Sequence, residues 1–267
     1  MIAEAATRLL NASERGIPCE PVRDLIGSTD IDAAYRVQQH IVRHRIDGGA
    51  RRIGRKIGLT SAVVREQVGV TEPDFGVLLD DMRFPDGGVI PASRLLQPRV
   101  EAEIAFVLAA DIDPAQPADV PITVDQTRAA IDYAAAALEI VDSRIHNWDL
   151  TITDTVADNA SSGVFVLGDR ALPIALIEPA HITMTMGTGD DSRASTGRGA
   201  DSLGDPLAAL AWLATTARRL GDPLRAGEVI LSGALGPLVH PAPGSTVTAE
   251  FTELGSVSVT FEESNNG

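Results

Sequence analysis

Glu101 and Glu103 are separated by a single alanine and lead into Ile104-Ala105-Phe106-Val107-Leu108, with Pro98 before the run and Asp111 to Pro114 after it. A run this short, rich in Ile, Val and Phe and bounded by turn residues, reads as a buried strand. Side chains on a strand alternate, so both carboxylates point to one face. Two acids side by side on a largely buried strand repel each other and lose hydration; they require a cation, a shared proton or Arg/Lys partners. For an isolated pair the ordinary explanation is an edge strand with both acids in water. Here the apolar run and a third acid favour a cation. Glu139 stands between Leu138 and Ile140 and raises the same burial question. Three such carboxylates suit an octahedral divalent ion, Mg2+ or Mn2+, with positions left open for water and substrate. Asp142 points to the opposite face of that strand and is assigned no role.

Other residues could do chemistry beside this set. Lys56, in Gly54-Arg55-Lys56-Ile57-Gly58, alternates with Ile57 and faces away from the packed side. It is either a solvated lysine at a strand end or, inside a cleft, a proton carrier or anion anchor. Asp74, in Pro73-Asp74-Phe75-Gly76, is either a turn former or a carboxylate aimed into a site. Asp158-Asn159-Ala160-Ser161-Ser162-Gly163 is a small-residue turn whose amides and hydroxyls could bind an anion, or simply the approach to a hairpin. His40 and His44 have a two-ligand spacing, but such a pair usually marks the polar face of a helix.

The elements that must position these groups follow from periodicity. Residues 1–14 and Asp30 to His44 read as helices, the second capped by Asp30 and apolar at Ala33, Ala34, Val37, Ile41 and Val42. A short helix is predicted from Ser61 to Gly69, and a longer one from Val124 to Ala137 that runs into a strand, Leu138 to Asp142. Strands are predicted at Val164–Leu167, His181–Met186, Thr246–Phe251 and Ser256–Phe261. A mobile Gly/Ser-rich loop is predicted at Asp190–Asp205, and an amphipathic helix at Pro206–Leu220. The tail from Glu262 is predicted to be disordered. The stretch Glu228 to Gly236 is a strand and a glycine loop without nucleotide-binding patterns.

The bulk composition narrows the class. The chain has 267 residues, 44% hydrophobic, enough for a sizeable core, and a formal net charge of −15. That charge argues against nucleic acid and anionic membranes as partners. It does not forbid an anionic substrate, because a local cation can invert the field in a cleft. The single cysteine, Cys19, excludes an internal disulfide and a Cys-based metal site. With no signal sequence and no long apolar run, a cytoplasmic protein without a membrane span is predicted.

Gly54-Arg55-Lys56-Ile57-Gly58-Leu59-Thr60, Pro73-Asp74-Phe75-Gly76, Glu101-Ala102-Glu103, Leu138-Glu139-Ile140-Val141-Asp142-Ser143-Arg144-Ile145 and Val156-Ala157-Asp158-Asn159-Ala160-Ser161 stand in that order. Together with Gly227 to Gly236 they resemble the 2-hydroxypenta-2,4-dienoate (2-keto-4-pentenoate) hydratases of the fumarylacetoacetate hydrolase-like superfamily, over essentially the whole chain. The resemblance implies an α+β fold: a mixed β-roll over residues 51–267 with an N-terminal helical cap over 1–50. It implies Glu101, Glu103 and Glu139 as ligands of Mg2+ or Mn2+, Lys56 and Asp74 as the proton-transfer pair, and Ser161 in the substrate-side loop. The implied reaction is hydration of a 2-hydroxy-dienoate to a 4-hydroxy-2-oxo acid in meta-cleavage degradation of aromatic or steroid compounds. The implied protein is a homo-oligomer, associated or not with neighbouring pathway enzymes. Alternatives on the same scaffold are a 4-oxalocrotonate (2-oxo-3-enedioate) decarboxylase or a 2-oxohept-4-ene-1,7-dioate hydratase, for which Arg55 or Arg144 would supply a second basic group. A non-catalytic partner subunit, or a plain binding protein for oxo acids, is the alternative outside enzymes.

Overall fold

The computed structural model describes residues 1–61, 65–66, 70–113, 115–117, 119–189 and 191–263. Most of the helix predicted over residues 61–69, and the end of the tail, lie outside them. Two mixed sheets carry the fold. The larger comprises β1 (Arg52–Gly58), β2 (Asp74–Leu79), β3 (Arg83–Phe84), β5 (Pro98–Leu108), β6 (Ile131–Asp142), β7 (Ser162–Pro173) and β10 (Val229–Leu231), in the order β2-β1-β10-β5-β6-β7-β3. The smaller comprises β4 (Gly88–Ile90), β8 (Thr183–Thr188), β9 (Asp191–Arg198), β11 (Thr246–Phe251) and β12 (Gly255–Phe261), in the order β4-β12-β11-β8-β9.

The large sheet is buried on both faces near its centre, and the faces differ. Val100, Ala102, Ile104 and Phe106 of β5 point into the main core with Ala134, Ala136, Leu138 and Ile140 of β6. There they meet Val247, Ala249, Val257 and Val259 of the small sheet. Leu207, Leu210 and Leu213 of α6 (Pro206–Arg219) close the same core. Ala105, Ala137, Phe165, Val229 and Leu231 form a smaller cluster on the other face. The alternation that sends Val100 and Ala102 into the main core sends Glu101 and Glu103 to this second face.

Two predicted elements differ. The helix expected as far as Ala137 stops at Ala130, as α4 (Val124–Ala130), and the alanines at 134–137 belong to β6. Alanine is the best helix former, but propensity is a weak determinant that tertiary context overrides. Here a strand wedged between β5 and β7 needs small side chains on both faces, and packing overrides propensity. The loop expected at Asp190–Asp205 contains the edge strand β9, paired with β8.

The N-terminal region folds as α1 (Ile2–Arg15), α2 (Arg23–Ile26) and α3 (Ile31–Asp47), with Asp30 capping α3 through Ala33 N–H at 2.9 Å. Ala5, Leu9, Ala34 and Val37 pack with Ile145, Val156 and Ala157, the last two on α5 (Ile152–Ala157). Gln38 of α3 donates from Nε2 to the carbonyls of Phe75 (2.9 Å) and Val156 (3.1 Å), so α3 is fastened to β2 beside Asp74. Asp154 pins the other end: its buried carboxylate accepts from the amides of Val22 (2.8 Å) and Arg23 (2.9 Å), from the Arg23 guanidinium (2.8 Å) and from Thr151. No helix among the described residues is long and apolar enough to cross a membrane.

Asp154→Ala leaves the amides of Val22, Arg23 and Thr151 without their acceptor and strips the Arg23 guanidinium of one of its two carboxylate partners. It is expected to cost about 2–4 kcal/mol of stability, read as a lower urea midpoint at unchanged slope.

Candidate metal and proton-transfer site

The register of β5 and β6 builds the acidic cluster. Glu101 pairs directly with Glu139, and Glu103 with Ala137, so three carboxylates share one patch of the second face. One oxygen from each of Glu101, Glu103 and Glu139 lies within 4.8 Å of the others. Glu103 and Glu139 are buried, whereas Glu101 is partly exposed. Glu103 is oriented from outside its own strand: Oε2 accepts the Gly233 N–H at 2.6 Å. Gly233 has φ +95, and a side chain there would run into Thr60, so the position requires glycine. Glu103 Oε1 and both Glu139 oxygens are buried without a hydrogen-bond donor. Buried, unsatisfied carboxylate oxygens converging within a few ångströms are the donor set that a hard divalent cation requires, and these residues fit one.

The ammonium comes from β1. Lys56 is 3% exposed, and its Nζ lies 3.1 Å from Glu139 Oε1, a contact of charges rather than an aligned hydrogen bond. Burial pulls its pKa down, but the charges of Glu139, Asp74, Glu101 and Glu103 outweigh burial and hold it above the usual lysine value. Asp74 enters from β2, where it pairs with Gly58 of β1. A Cβ on Gly58 would collide with Asp74 Oδ1 and lie 3.6 Å from Lys56 Nζ, so carboxylate and ammonium share the space that glycine leaves. Both Asp74 oxygens are buried and unpartnered. Burial raises the Asp74 pKa to about 6 against the opposing charge of Lys56. Burial and the charge of Glu139 raise Glu101 to about 7 and Glu103 well above its usual range.

Ser161 sits on an unusual turn. Asn159, Ala160 and Ser161 all lie in the left-handed region, with φ 56, 51 and 53. Asn159 ties this turn to β2, accepting from Val77 N–H (2.8 Å) and donating to Val77 O (2.9 Å). Gly76 leaves the space its carbonyl occupies. Arg144 clamps both ends: Nε donates to Asp158 Oδ1 (2.6 Å), and the guanidinium also donates to the carbonyls of Asp158, Ser162 (2.7 Å) and Asp142. Ser161 Oγ is left buried and unpartnered.

The remaining candidates lie elsewhere. Asp142 is on the opposite face, accepting from the amides of Leu96 and Gln97. His40 and His44 are exposed. Arg55 faces away from Lys56 and pairs with Asp222 (3.1 Å) and Glu228 (3.7 Å). Neither Arg55 nor Arg144 is free to hold a second substrate carboxylate. A cavity of about 360 Å3 opens between α1, α3 and Leu95–Leu96, and none of the six predicted site residues lines it. Sequence reasoning missed Gly58 and Gly233, whose roles are clearances visible only in three dimensions. It also missed Arg99, which the alternation of β5 places on the face of Glu101 and Glu103.

Residues 62–262 match the model of the fumarylacetoacetate (FAA) hydrolase C-terminal family. The chain is 49% identical over 259 residues to a 2-keto-4-pentenoate hydratase of Paraburkholderia xenovorans (strain LB400), covering 97% of this chain and 94% of that one. It is 40% identical over 258 residues to a 2-hydroxyhexa-2,4-dienoate hydratase of Comamonas testosteroni, covering 96% of each. Among solved structures, 4-oxalocrotonate decarboxylase from Pseudomonas putida G7, complexed with magnesium and adipate, superposes with a TM-score of 0.91 at 33% identity over 97% of both chains.

The raised pKa values predict how the acidic cluster responds to pH. Asp74, Glu101 and Glu103 hold protons in the fold that they release at lower pH when unfolded, so cation-free stability falls as pH rises from about 4 through about 7. A bound cation competes with those protons and reverses the trend. Melting of chelator-treated protein is expected at lower temperature at about pH 8 than at about pH 5.5. Mg2+ should restore it at the higher pH only, and its affinity by calorimetry should rise with pH.

Proposed function

The chain belongs to the fumarylacetoacetate hydrolase C-terminal family, and we propose that within it the protein is a metal-dependent hydratase. Its substrate is 2-hydroxypenta-2,4-dienoate or a close alkyl homologue, and its product a 4-hydroxy-2-oxo acid. The observation that carries this reading is the buried Lys56–Asp74 pair at the edge of a three-carboxylate cluster, in a chain 40–49% identical to dienoate hydratases along its length. Glu101, Glu103 and Glu139 would hold Mg2+ or Mn2+. When bound, the cation supplies Lewis acidity that stabilises negative charge on the substrate's 2-oxygen.

The chain's own groups move the protons. Lys56, kept charged by the surrounding carboxylates, donates a proton to C5 of the dienol and, as the neutral amine, takes back the proton that the 2-hydroxyl gives up, leaving a 2-oxo-3-enoate. Water then adds across the double bond, hydroxyl to C4 and hydrogen to C3. Asp74, with a pKa near 6 and two free oxygens, takes the proton from that water and holds Lys56 in register. Ser161 Oγ, unpartnered in its strained turn, bonds the substrate. The helices of residues 1–50 cap the Asp74 end, consistent with the bonds from Gln38 to β2. The same reading makes the protein a homo-oligomer serving meta-cleavage degradation of aromatic or steroid compounds.

Decarboxylation of a 2-oxo-3-enedioate is favoured by one observation, the overlap with the Pseudomonas putida decarboxylase. Against it, identity is higher to the hydratases, and Arg55 and Arg144 are engaged elsewhere.

Ultraviolet loss of the dienoate should require Mg2+ or Mn2+, stop on chelation, and yield a hydroxy-oxo acid without CO2. Lys56→Ala should cut turnover about 10²–10⁴-fold while Mg2+ binding persists. Glu103→Gln should lose both. Full turnover by Lys56→Ala would sink the acid–base assignment.

A further inference from the structure

Arg99 lies two residues before Glu101 on β5, so its side chain shares the face of Glu101 and Glu103. It pairs with Val141, one step beyond the Glu101–Glu139 pair. Along this row Glu103 is fully buried, and Glu101 and Arg99 are partly open, so Arg99 stands at the mouth of the site.

Its side chain is braced rather than bonded. The guanidinium carbon lies 4.0 Å from the centroid of the Trp148 ring. Trp148 is itself fixed: Nε1 donates to the Gln97 carbonyl at 3.2 Å, and the backbone of Asn147 and Trp148 is left-handed, with φ 54 and 57. Among the described residues the Arg99 guanidinium has no hydrogen-bond acceptor and no carboxylate at ion-pair distance. Stacking engages the flat face of a guanidinium and leaves its in-plane N–H donors free for a planar anion. Arg55 and Arg144, in contrast, spend theirs on Asp222, Glu228, Asp158 and backbone carbonyls.

Charge balance asks for such a group. With a divalent cation bound and the four carboxyls ionised by it, Glu101, Glu103, Glu139 and Asp74 together with Lys56 still leave one net negative charge. A carboxylate substrate entering that site meets net repulsion unless another cation stands at the entrance. We infer that Arg99, held over the ring of Trp148, is the anchor for the C1 carboxylate of the substrate. The inference rests on the dienoate reading above. In a 2-hydroxy or 2-oxo acid the carboxylate is one bond from the carbon whose oxygen the cation polarises. A cationic side chain one step from the Glu101–Glu139 pair therefore meets that head group and not the far end of the chain. Arg99 is thus a binding residue, and Trp148 a positioning residue acting through it.

The test compares wild type, Arg99→Gln, Arg99→Lys, Trp148→Ala and Trp148→Phe. The readouts are dienoate turnover and calorimetric binding of Mg2+, then of oxalate to the Mg2+-loaded protein. Arg99→Gln should raise KM and the oxalate Kd about ten- to a hundredfold, the loss of a charge-assisted pair. It should lower kcat far less and leave Mg2+ affinity the same or tighter. Arg99→Lys, which keeps charge but not the fork, should fall between. Trp148→Ala should weaken oxalate binding several-fold, and Trp148→Phe, which restores a stacking face, should recover most of it. KM and oxalate Kd within about twofold of wild type in Arg99→Gln would overturn the inference. So would weakened Mg2+ binding, or a KM effect confined to dicarboxylic dienoates, which would put Arg99 at the far end of the substrate. Arg99-dependent oxalate binding in a wild-type protein that leaves the dienoate untouched would support the anchor and count only against the proposed reaction.

Discussion

Four carboxyl groups crowd around one ammonium in a part of the protein largely closed to water, and everything else in the site is arranged around that imbalance. Burial first, and the neighbouring charge of Glu139 second, make Asp74, Glu101 and Glu103 all hold their protons to unusually high pH. The fold tolerates the crowding because the opposite face of the same strands is apolar. Val100, Ala102 and Ile104 anchor β5 in the main core, and Leu138 and Ile140 anchor β6. A slip of one residue in either strand would bury acids in that core and expose the apolar row. Register, and with it the geometry of the acids, is therefore set by hydrophobic burial and does not depend on a cation at the acids.

Small residues make the second half of the arrangement possible. Gly58 leaves the volume in which the Asp74 carboxylate sits, Gly76 admits the carbonyl of Asn159, and Gly233 lets a backbone amide reach Glu103. The alanines of β6 let flanking strands carry the bulky groups. Glycine and alanine are weak choices for strand stability. Their concentration around the acids marks where clearance outranked propensity.

Much of this was legible in the sequence. Period-two alternation placed Glu101 and Glu103 together, and an acid set between Leu138 and Ile140 was a fair sign that Glu139 joined them; the pairing of 101 with 139 confirms the shared face. The same alternation, carried back one step, would have reached Arg99. Other features had no local signal. Whether Arg55 or Lys56 turned toward the acids depended on β10 and β2 as neighbours of β1. The amide of Gly233 meets Glu103 across 130 residues of chain. The alanines at 134–137 carried a helical signal that sheet packing overruled, and β9 was hidden in a stretch whose glycines and serines suggested a loop.

The left-handed run Asn159-Ala160-Ser161 has a consequence for how this protein can change. Outside glycine such a conformation costs roughly 1–2 kcal/mol per residue, and Asn159 alone is of a type that adopts it readily. Glycine at 160 would relieve strain, so adaptation to heat has an accessible route there. Under the proposed function position 161 offers no such freedom, because relief would remove the hydroxyl proposed to bond the substrate along with the strain. A lineage drifting toward greater robustness can thus soften one side of this bend while its neighbour stays fixed, and the two adjacent positions should diverge at very different rates.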